Sequence, residues 1–480
     1  MLINKTINDG NSAVDIAGGS TAERAGSRTG NASRAATGAY EKRDRHSSRP
    51  SCVTGFVAST MLGWGSCPDR EVLMTLKFHL IFICLIMLFA LAGCGMRVSP
   101  HKLSWQSPYK PLSSLEEGDI VHLPTGVKVT KEQLVNMLSA ARIVYVGETH
   151  DNMNAHKVQL DILKALTERH PDKIAVGMEM LRRPSQEVAD QWTSGELAEK
   201  EFVRTWVKDW SNDFPYYRAI LEHVRDHHIP LLALRAPDEW LERVKKPGPV
   251  DDSQDSQEKL PDMDIEDPYH RAHTKAIFDK HPTQKETFEE FYKVQVLWDE
   301  SMAASITEYL LSEPGQDKQL VVFAGAQHVE YGFGIPRRVF RRVPLPYAIV
   351  LPTAIHISAE KHHKVMRVTL PEIPLVPGDF AWMVTYQDLE DEKVYLGVMI
   401  RETEDGVTVL KTIEGSIAEK AGVQENDIVT SFDGEAIETT FDLTYLISLK
   451  KPGDQGVIDI LRDEQPLRFE VTFQASDHHP

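Results

Sequence analysis

Four short apolar runs, Ile143–Val146, Ile174–Val176, Leu231–Leu234 and Leu320–Phe323, are bounded by Gly, Pro or Arg and separated by stretches of helical character. Runs this short, apolar on successive residues, suit strands buried on both faces. Strands alternating with helices fold into a mostly parallel sheet flanked by helices. Helices are predicted at Asn154–His170, stopped by Pro171, at Tyr216–His228, and at Gln284–Ser312. The last places Phe288, Phe291, Val294, Trp298 and Met302 on one face and stops at Pro314-Gly315. An α/β fold over residues 120–370 is the expectation.

The strand ends carry the chemistry. One phrase occurs twice: Ile143-Val-Tyr-Val is followed by Gly147-Glu-Thr-His150, and Val321-Val-Phe-Ala by Gly325-Ala-Gln-His328. Glycine permits a sharp exit from a strand, so each histidine falls at the carboxyl edge of the sheet, where open α/β sheets bind ligands. The other two strands end in charge, at Glu179 and Arg235. If the four strands are neighbours, Glu148, His150, Glu179, Arg235 and His328 converge on one cleft. The plainer alternative is that they cap strand ends or pair as buried ions, Glu179 with Arg235 for instance. Two histidines and a carboxylate are also an inventory for a divalent transition metal, with His150 and His328 as ligands and Glu148 or Glu179 as general base. Tyr331 follows in a loop where glycines flank an aromatic ring, leaving room for a flat ligand.

Composition narrows the partners. The 480 residues hold 53 basic and 71 acidic side chains, a net charge of −18. Nucleic acid and anionic lipid both reward clustered Lys and Arg, so no nucleic acid is expected as a partner. The four cysteines form no C-x-x-C pair, which argues against thiol-redox or Cys-zinc chemistry. No Walker-type glycine loop and no G-x-S-x-G elbow occurs.

Residues 1–73, rich in Gly, Ser, Ala, Asn and Arg, read as a disordered or untranslated leader ahead of a start at Met74. Lys77 and the apolar run Leu80–Ala92 then suit a signal-peptide core, being shorter than the roughly twenty residues of a membrane-spanning helix. Leu91-Ala-Gly-Cys94 resembles a bacterial lipobox, which implies that residues 74–93 are removed and that Cys94 is lipidated. By the same resemblance, Gly95 in place of Asp implies sorting to the outer membrane, facing the periplasm, so that the contact with the membrane is a lipid anchor. Residues 94–119 read as a tether, Lys245–Asp267 as a solvated loop, and 371–385 as a linker to a further module.

Gly147-Glu-Thr-His150, Val176-Gly-Met-Glu-Met180, Trp206 and Trp210 before Tyr217, Trp298-Asp299 with Met302-Ala303, and Tyr331-Gly-Phe-Gly-Ile-Pro336 together resemble the ChaN-type haem-binding lipoproteins of the Tiki/TraB superfamily. The resemblance implies haem as cofactor, a role in haem or iron uptake, an iron ligand from Tyr331 or from His150 or His328, and assembly as a homodimer. Arg235, Trp206, Trp210 and Tyr217 would border the macrocycle. Arg235 departs from the small polar residue expected there. Tiki relatives also resemble metal-dependent peptidases, so a hydrolase using the two G-x-x-H histidines remains the alternative.

From Tyr386 the pattern changes to short alternating strands. Tyr395-Leu-Gly-Val398, the phrase Ile417-Ala-Glu-Lys-Ala-Gly-Val423 and the turn Phe432-Asp-Gly434 resemble a PDZ domain of the HtrA kind over residues 386–475. That implies a small, mostly-β PDZ domain after the α/β domain. Its loop Tyr395, Leu396, Gly397 and Val398 would hold the carboxylate of a C-terminal peptide or envelope protein, and Leu446 would wall the groove.

Overall fold

A computed structural model describes residues 114–210, 213–246, 259–280, 286–365 and 368–475. The leader, the signal segment, Cys94 and most of the 94–119 tether lie outside the described residues. So does 247–258 of the acidic loop.

The chain opens with β1 (Ile120–His122) and β2 (Val127–Val129), followed by α1 (Lys131–Leu138), β3 (Ile143–Glu148), α2 (Met153–Arg169) and β4 (Ile174–Arg182). Next come α3 (Gln186–Ser194), α4 (Glu199–Asp209), α5 (Phe214–Asp226), β5 (Leu231–Arg235), α6 (Asp238–Lys245) and α7 (Pro268–Phe278). The long α8 (Phe288–Leu311), β6 (Gln319–Gly325), α9 (Ile335–Arg342), β7 (Tyr347–His356) and β8 (Phe380–Thr385) complete the first domain. The expected strands and helices are all present within a few residues of their predicted bounds, and α8 begins at a capping box in which Thr287 and Glu290 exchange hydrogen bonds.

The sheet order is β2-β1-β8-β7-β3-β6-β4-β5. The six strands from β8 to β5 run parallel, and β1 and β2 add an antiparallel edge. β6 inserts between β3 and β4, which are consecutive in the chain. Strand order therefore switches direction here, the place where a crevice opens beyond the carboxyl ends of the strands.

Side chains alternate across the central strands of this sheet, the pattern breaking only near the end of β4, where Met180 and Leu181 join the same core. Val144, Val146, Val176, Met178, Ala233 and Phe323 pack into one core with α1 to α5. Tyr145, Ala175, Leu234, Val322 and Ala324 pack into the other with α8 and α9. A parallel sheet buried on both faces needs this arrangement, since neither face can be left to water.

The predicted linker 371–385 is corrected. Residues 380–385 form β8, which pairs with β7 and β1 and sends Phe380, Trp382 and Val384 into the first core. The end of the tether is also structured, for Gly118 donates its N–H to the Met383 carbonyl at 2.9 Å. The second half of the acidic loop is held too: Leu260 and Met263 pack beside Trp240 and Leu297.

The C-terminal domain comprises β9 (Val398–Thr403), β10 (Gly406–Thr412), α10 (Ile417–Ala421), β11 (Ile428–Phe432), β12 (Glu435–Ala436), α11 (Thr440–Ser448), β13 (Gln455–Arg462) and β14 (Gln465–Thr472). Its sheet is antiparallel in the order β14-β13-β11-β10-β9, around a separate core that includes Val407, Val429, Phe432 and Ile458. Among the described residues, no helix is long and apolar enough to cross a membrane.

Candidate functional site

Alternation decides where each strand-end group goes. Glu148 has the parity of Val144 and Val146 and enters the layer of α2 and α5, whereas Glu179 has the parity of Ala175 and reaches α8 only through His328. Both are 3% exposed, which demands partners for two carboxylates.

Glu148 has four around it. His150 donates Nδ1–H at 2.7 Å, the Tyr217 hydroxyl donates at 2.5 Å, Gln159 donates at 2.6 Å, and His156 Nδ1 lies 3.6 Å away. Burial works to raise the Glu148 carboxyl, but the charge of His156 and the hydrogen bonds from His150 and Tyr217 outweigh it and hold the group below its ordinary value. The His156 ring nitrogens face the Gln159 amide oxygen and the His150 carbonyl, each at 3.0 Å.

On the opposite face, Glu179 accepts the Gly325 N–H at 2.7 Å and lies 3.4 Å from His328 Nε2. His328 Nδ1 donates to Asp299 on α8 at 2.7 Å, and Asp299 also meets His270 at 3.0 Å. Burial would lower the His328 imidazole, yet Glu179 and Asp299 push it up to about 10. Burial likewise opposes ionisation of Glu179, but His328, His150 and the Gly325 N–H hold it at about 2. A carboxylate–imidazolium–carboxylate row therefore crosses from β4 to α8.

His150 joins the two halves. A β-carbon built on Gly325 would lie 2.9 Å from His150 Nε2 and 3.5 Å from Glu179. That nitrogen is buried without a hydrogen-bond partner, while the side chain as a whole retains 15% exposure. Burial lowers the His150 imidazole, but the hydrogen bond and charge of Glu148, with Glu179, raise it overall. A carboxylate thus orients one ring nitrogen and leaves the other unpaired, though closed off from solvent in this structure.

Trp210 meets the His150 ring edge-on at 4.9 Å between centroids, and the Arg235 guanidinium lies over Trp210 at 4.8 Å. Arg235 also donates to the Asp209 carbonyl. Burial and neighbouring Arg182 bring Arg235 down to about 10.

The five strand-end residues thus converge as expected, but several assigned roles are corrected. Tyr217 and Trp206 are fully buried and cannot border a macrocycle, the Tyr217 hydroxyl being committed to Glu148. His328 is 1% exposed with both ring nitrogens engaged, so it presents no free ligand atom. Arg235 is buried among protein partners. Among the described residues, no group of three or more His, Cys, Asp or Glu is placed to hold a metal ion.

Tyr331, three residues beyond His328, stands apart from this cluster. Its φ of 56° turns the chain in the left-handed region. Its ring stacks on Phe333 at 5.4 Å, Phe333 stacks on Tyr269 at 5.7 Å, and Arg337 lies over Phe333 at 4.7 Å. His273 meets Tyr331 edge-on at 5.8 Å. Tyr269, Leu375 and Val376 are exposed, and the Tyr331 N–H bonds the Pro377 carbonyl at 2.7 Å. The outcome is a half-buried phenol in an aromatic, largely apolar surface. Burial, with Glu330, raises the Tyr331 phenol above its ordinary value.

In the C-terminal domain, Gly397 has φ +79° and sits so close to Ser416 that a β-carbon would lie 2.3 Å from the Ser416 β-carbon. Leu396 is buried, Tyr395 is exposed, and Val398 opens β9, an edge strand. Leu446 and Ile447 on α11 are partly buried against the core. The loop, edge strand and helix of a peptide groove are all in place.

Comparison with known proteins agrees with both halves. The family described as haem-binding uptake, Tiki superfamily, ChaN matches residues 134–339, and the PDZ domain family matches residues 394–473. A probable periplasmic DegP-like serine endoprotease of Ectopseudomonas mendocina is 30% identical over 113 residues, 20% of this chain and 24% of that protein. The chloroplastic protein RETICULATA-RELATED 5 of Arabidopsis thaliana is 24% identical over 257 residues, 50% of this chain and 35% of that protein. The chain therefore spans only about a quarter to a third of these curated relatives. The ChaN protein of Campylobacter jejuni, solved with cofacially bound haem, is 16% identical with a TM-score of 0.43, over 56% of this chain and 98% of that one. Residues 134–339 thus make up a domain of the ChaN family in the Tiki superfamily, followed at residues 394–473 by a PDZ domain.

Proposed function

We propose that this chain is a lipid-anchored haem-binding protein of the cell envelope, facing the periplasm from the outer membrane. It handles haem during iron uptake and docks a partner through its PDZ groove. The observation that carries the haem reading is the Tyr331 surface: a half-buried phenol at a left-handed position, on a ladder of stacked rings with a guanidinium beside it. Such a surface fits a flat apolar ring with acidic side groups. Tyr331 would supply an oxygen ligand and exposed Tyr269 the apolar wall, with buried Phe333 backing both rings, and Arg337, which also pairs with Asp267, would supply the charge that meets a propionate. Bound there, haem supplies a ferric iron centre. His150 fits this role less well, because its open nitrogen is buried against Gly325. The exposed apolar side chains around Tyr331 also support assembly as a homodimer through this face.

Titration of the chain with hemin tests the proposal. Tyr331→Phe should weaken binding at least tenfold and alter the visible spectrum, while His150→Gln should leave both in place. The reverse pattern would move the iron to His150, and no Soret shift with any variant would end the haem reading.

The Glu148–His150 pair at the strand-order switch supports a second reading, a hydrolase in which His150 moves the proton and Glu148 orients it. A hydrolytic activity abolished by His150→Gln and untouched by Tyr331→Phe would favour it.

A further inference from the structure

Helix α11, which walls the PDZ groove, is held on both sides. Toward β9, Glu402 accepts from the Thr440 N–H at 2.9 Å and from its hydroxyl at 3.0 Å. Toward the first domain, Asp442 accepts from Lys200 at 2.8 Å and Arg204 at 3.1 Å, both on α4. The Arg204 guanidinium lies over Phe441 at 4.3 Å, and the Tyr445 hydroxyl donates to Glu199 at 3.2 Å. Phe441 and Tyr445 pack against the core of the first domain. Asp442 is also the residue that closes the α11 cap, accepting the Thr439 N–H and hydroxyl, each at 2.7 Å.

The other end of α4 is the haem-domain site. Its last residue, Asp209, accepts the Arg182 N–H at 2.9 Å through its carboxylate and the Arg235 guanidinium through its carbonyl. Trp210, the next residue, is the ring against His150. One helix of three turns thus touches the groove wall at its start and the His150 cluster at its end. A helix of this length is stiff, so displacement at one end is carried to the other.

We infer that a peptide seated between β9 and α11 is an effector of the His150 cluster, acting through α4. The inference rests on reading residues 394–473 as a peptide-docking domain. A peptide that adds to β9 must fit against Leu446 and Ile447, and α11 can yield only by breaking its tie to Glu402 or by pressing on Lys200 and Arg204. The second route moves Trp210. Coupling of this kind is reciprocal, so a ligand beside His150 alters peptide affinity by the same factor.

The test uses the full chain labelled with 5-fluorotryptophan, the Trp210 resonance being assigned from Trp210→Phe. The probe is the pentapeptide Gly-Gly-Tyr-Val-Val with a free carboxylate, and its carboxamide is the control. The free acid should shift the Trp210 fluorine resonance in step with β9 amide resonances. Lys200→Ala/Arg204→Ala should retain peptide binding and lose the Trp210 shift. Titration of β9 without movement at Trp210, or a Trp210 shift that survives in the double variant, would overturn the route through α4. If this peptide leaves β9 unmoved, Leu446→Trp, which fills the groove from within, decides: a shifted Trp210 supports the coupling and an unshifted one overturns it. Because the readout is Trp210 and no haem is added, a chain that takes up no haem still tests this inference.

Discussion

Gly325 and His150 touch where no side chain could stand between them, with 2.9 Å separating an ideal β-carbon from the imidazole Nε2. The glycine adopts φ −52° and ψ 138°, which any residue tolerates, so its role is space and not backbone freedom. Gly325→Ala should therefore push the His150 ring off Glu148 and cost about 1–3 kcal/mol as an overpacked core does. Urea unfolding would measure the loss, and the His150 nitrogen resonances would show whether the Glu148 hydrogen bond breaks.

Asp299 should be among the costliest single changes. Asp299→Ala leaves His328 and His270 facing a cavity, and removing one partner of a buried ion pair costs roughly 3–5 kcal/mol. Asp299→Asn keeps the volume and should recover part of that. Equal losses for the two, read from thermal or urea unfolding, would show that packing and not charge is what Asp299 contributes.

Stability should peak in mildly acidic solution. Glu179 falls from 4.5 to about 2 on folding, so its contribution is complete above 4.5 and fades as pH drops through 2. His328 rises from 6.5 to about 10, so its contribution is complete below 6.5 and fades as pH climbs through 10. A plateau between those two limits follows, with a decline on the alkaline side. His328→Gln should lower the plateau and flatten that alkaline limb in urea midpoints measured against pH.

Haem affinity should strengthen with pH. If Tyr331 is the ligand, its phenol would have to give up its proton to bind iron, and burial with Glu330 makes that proton harder to remove. Each pH unit below the phenol pKa then costs about tenfold in affinity. Glu330→Gln relieves the repulsion and should tighten hemin binding at neutral pH. An affinity independent of pH would point away from a phenolate ligand.

The strand ends could be read in sequence because they are local. A glycine after an apolar run, with histidine three residues on, needs no distant partner to declare itself. Asp299 could not be placed in this way, since its meaning depends on β6 delivering His328 from 29 residues along the chain. A signal was present all the same: Asp299 and Glu300 sit mid-helix between Trp298 and Met302, where charge has no place unless it is paired. His156 and Gln159 likewise occupy inward positions of α2 among Val158, Ile162 and Leu163. Tyr331 lies only three residues from His328, yet across the left-handed turn His328 is buried whereas Tyr331 is half-buried. Prolines 371, 374 and 377 hid β8, although Phe380, Trp382 and Val384 carry the alternation of a strand.

Asn152 carries a consequence for how this protein could ever be taken apart. Its side-chain oxygen begins α2 by accepting the Asn154 N–H at 3.1 Å, and it accepts the Gln387 N–H at the same distance. The Met153 N–H in turn bonds the Gln387 carbonyl at 2.7 Å. The stretch leading into the PDZ domain is thus stitched to the first turn of the helix that follows His150. A chain cut cleanly between the two family boundaries would remove part of the first domain's own foundation. The two domains have separate interiors and separate relatives, but they are not separable modules.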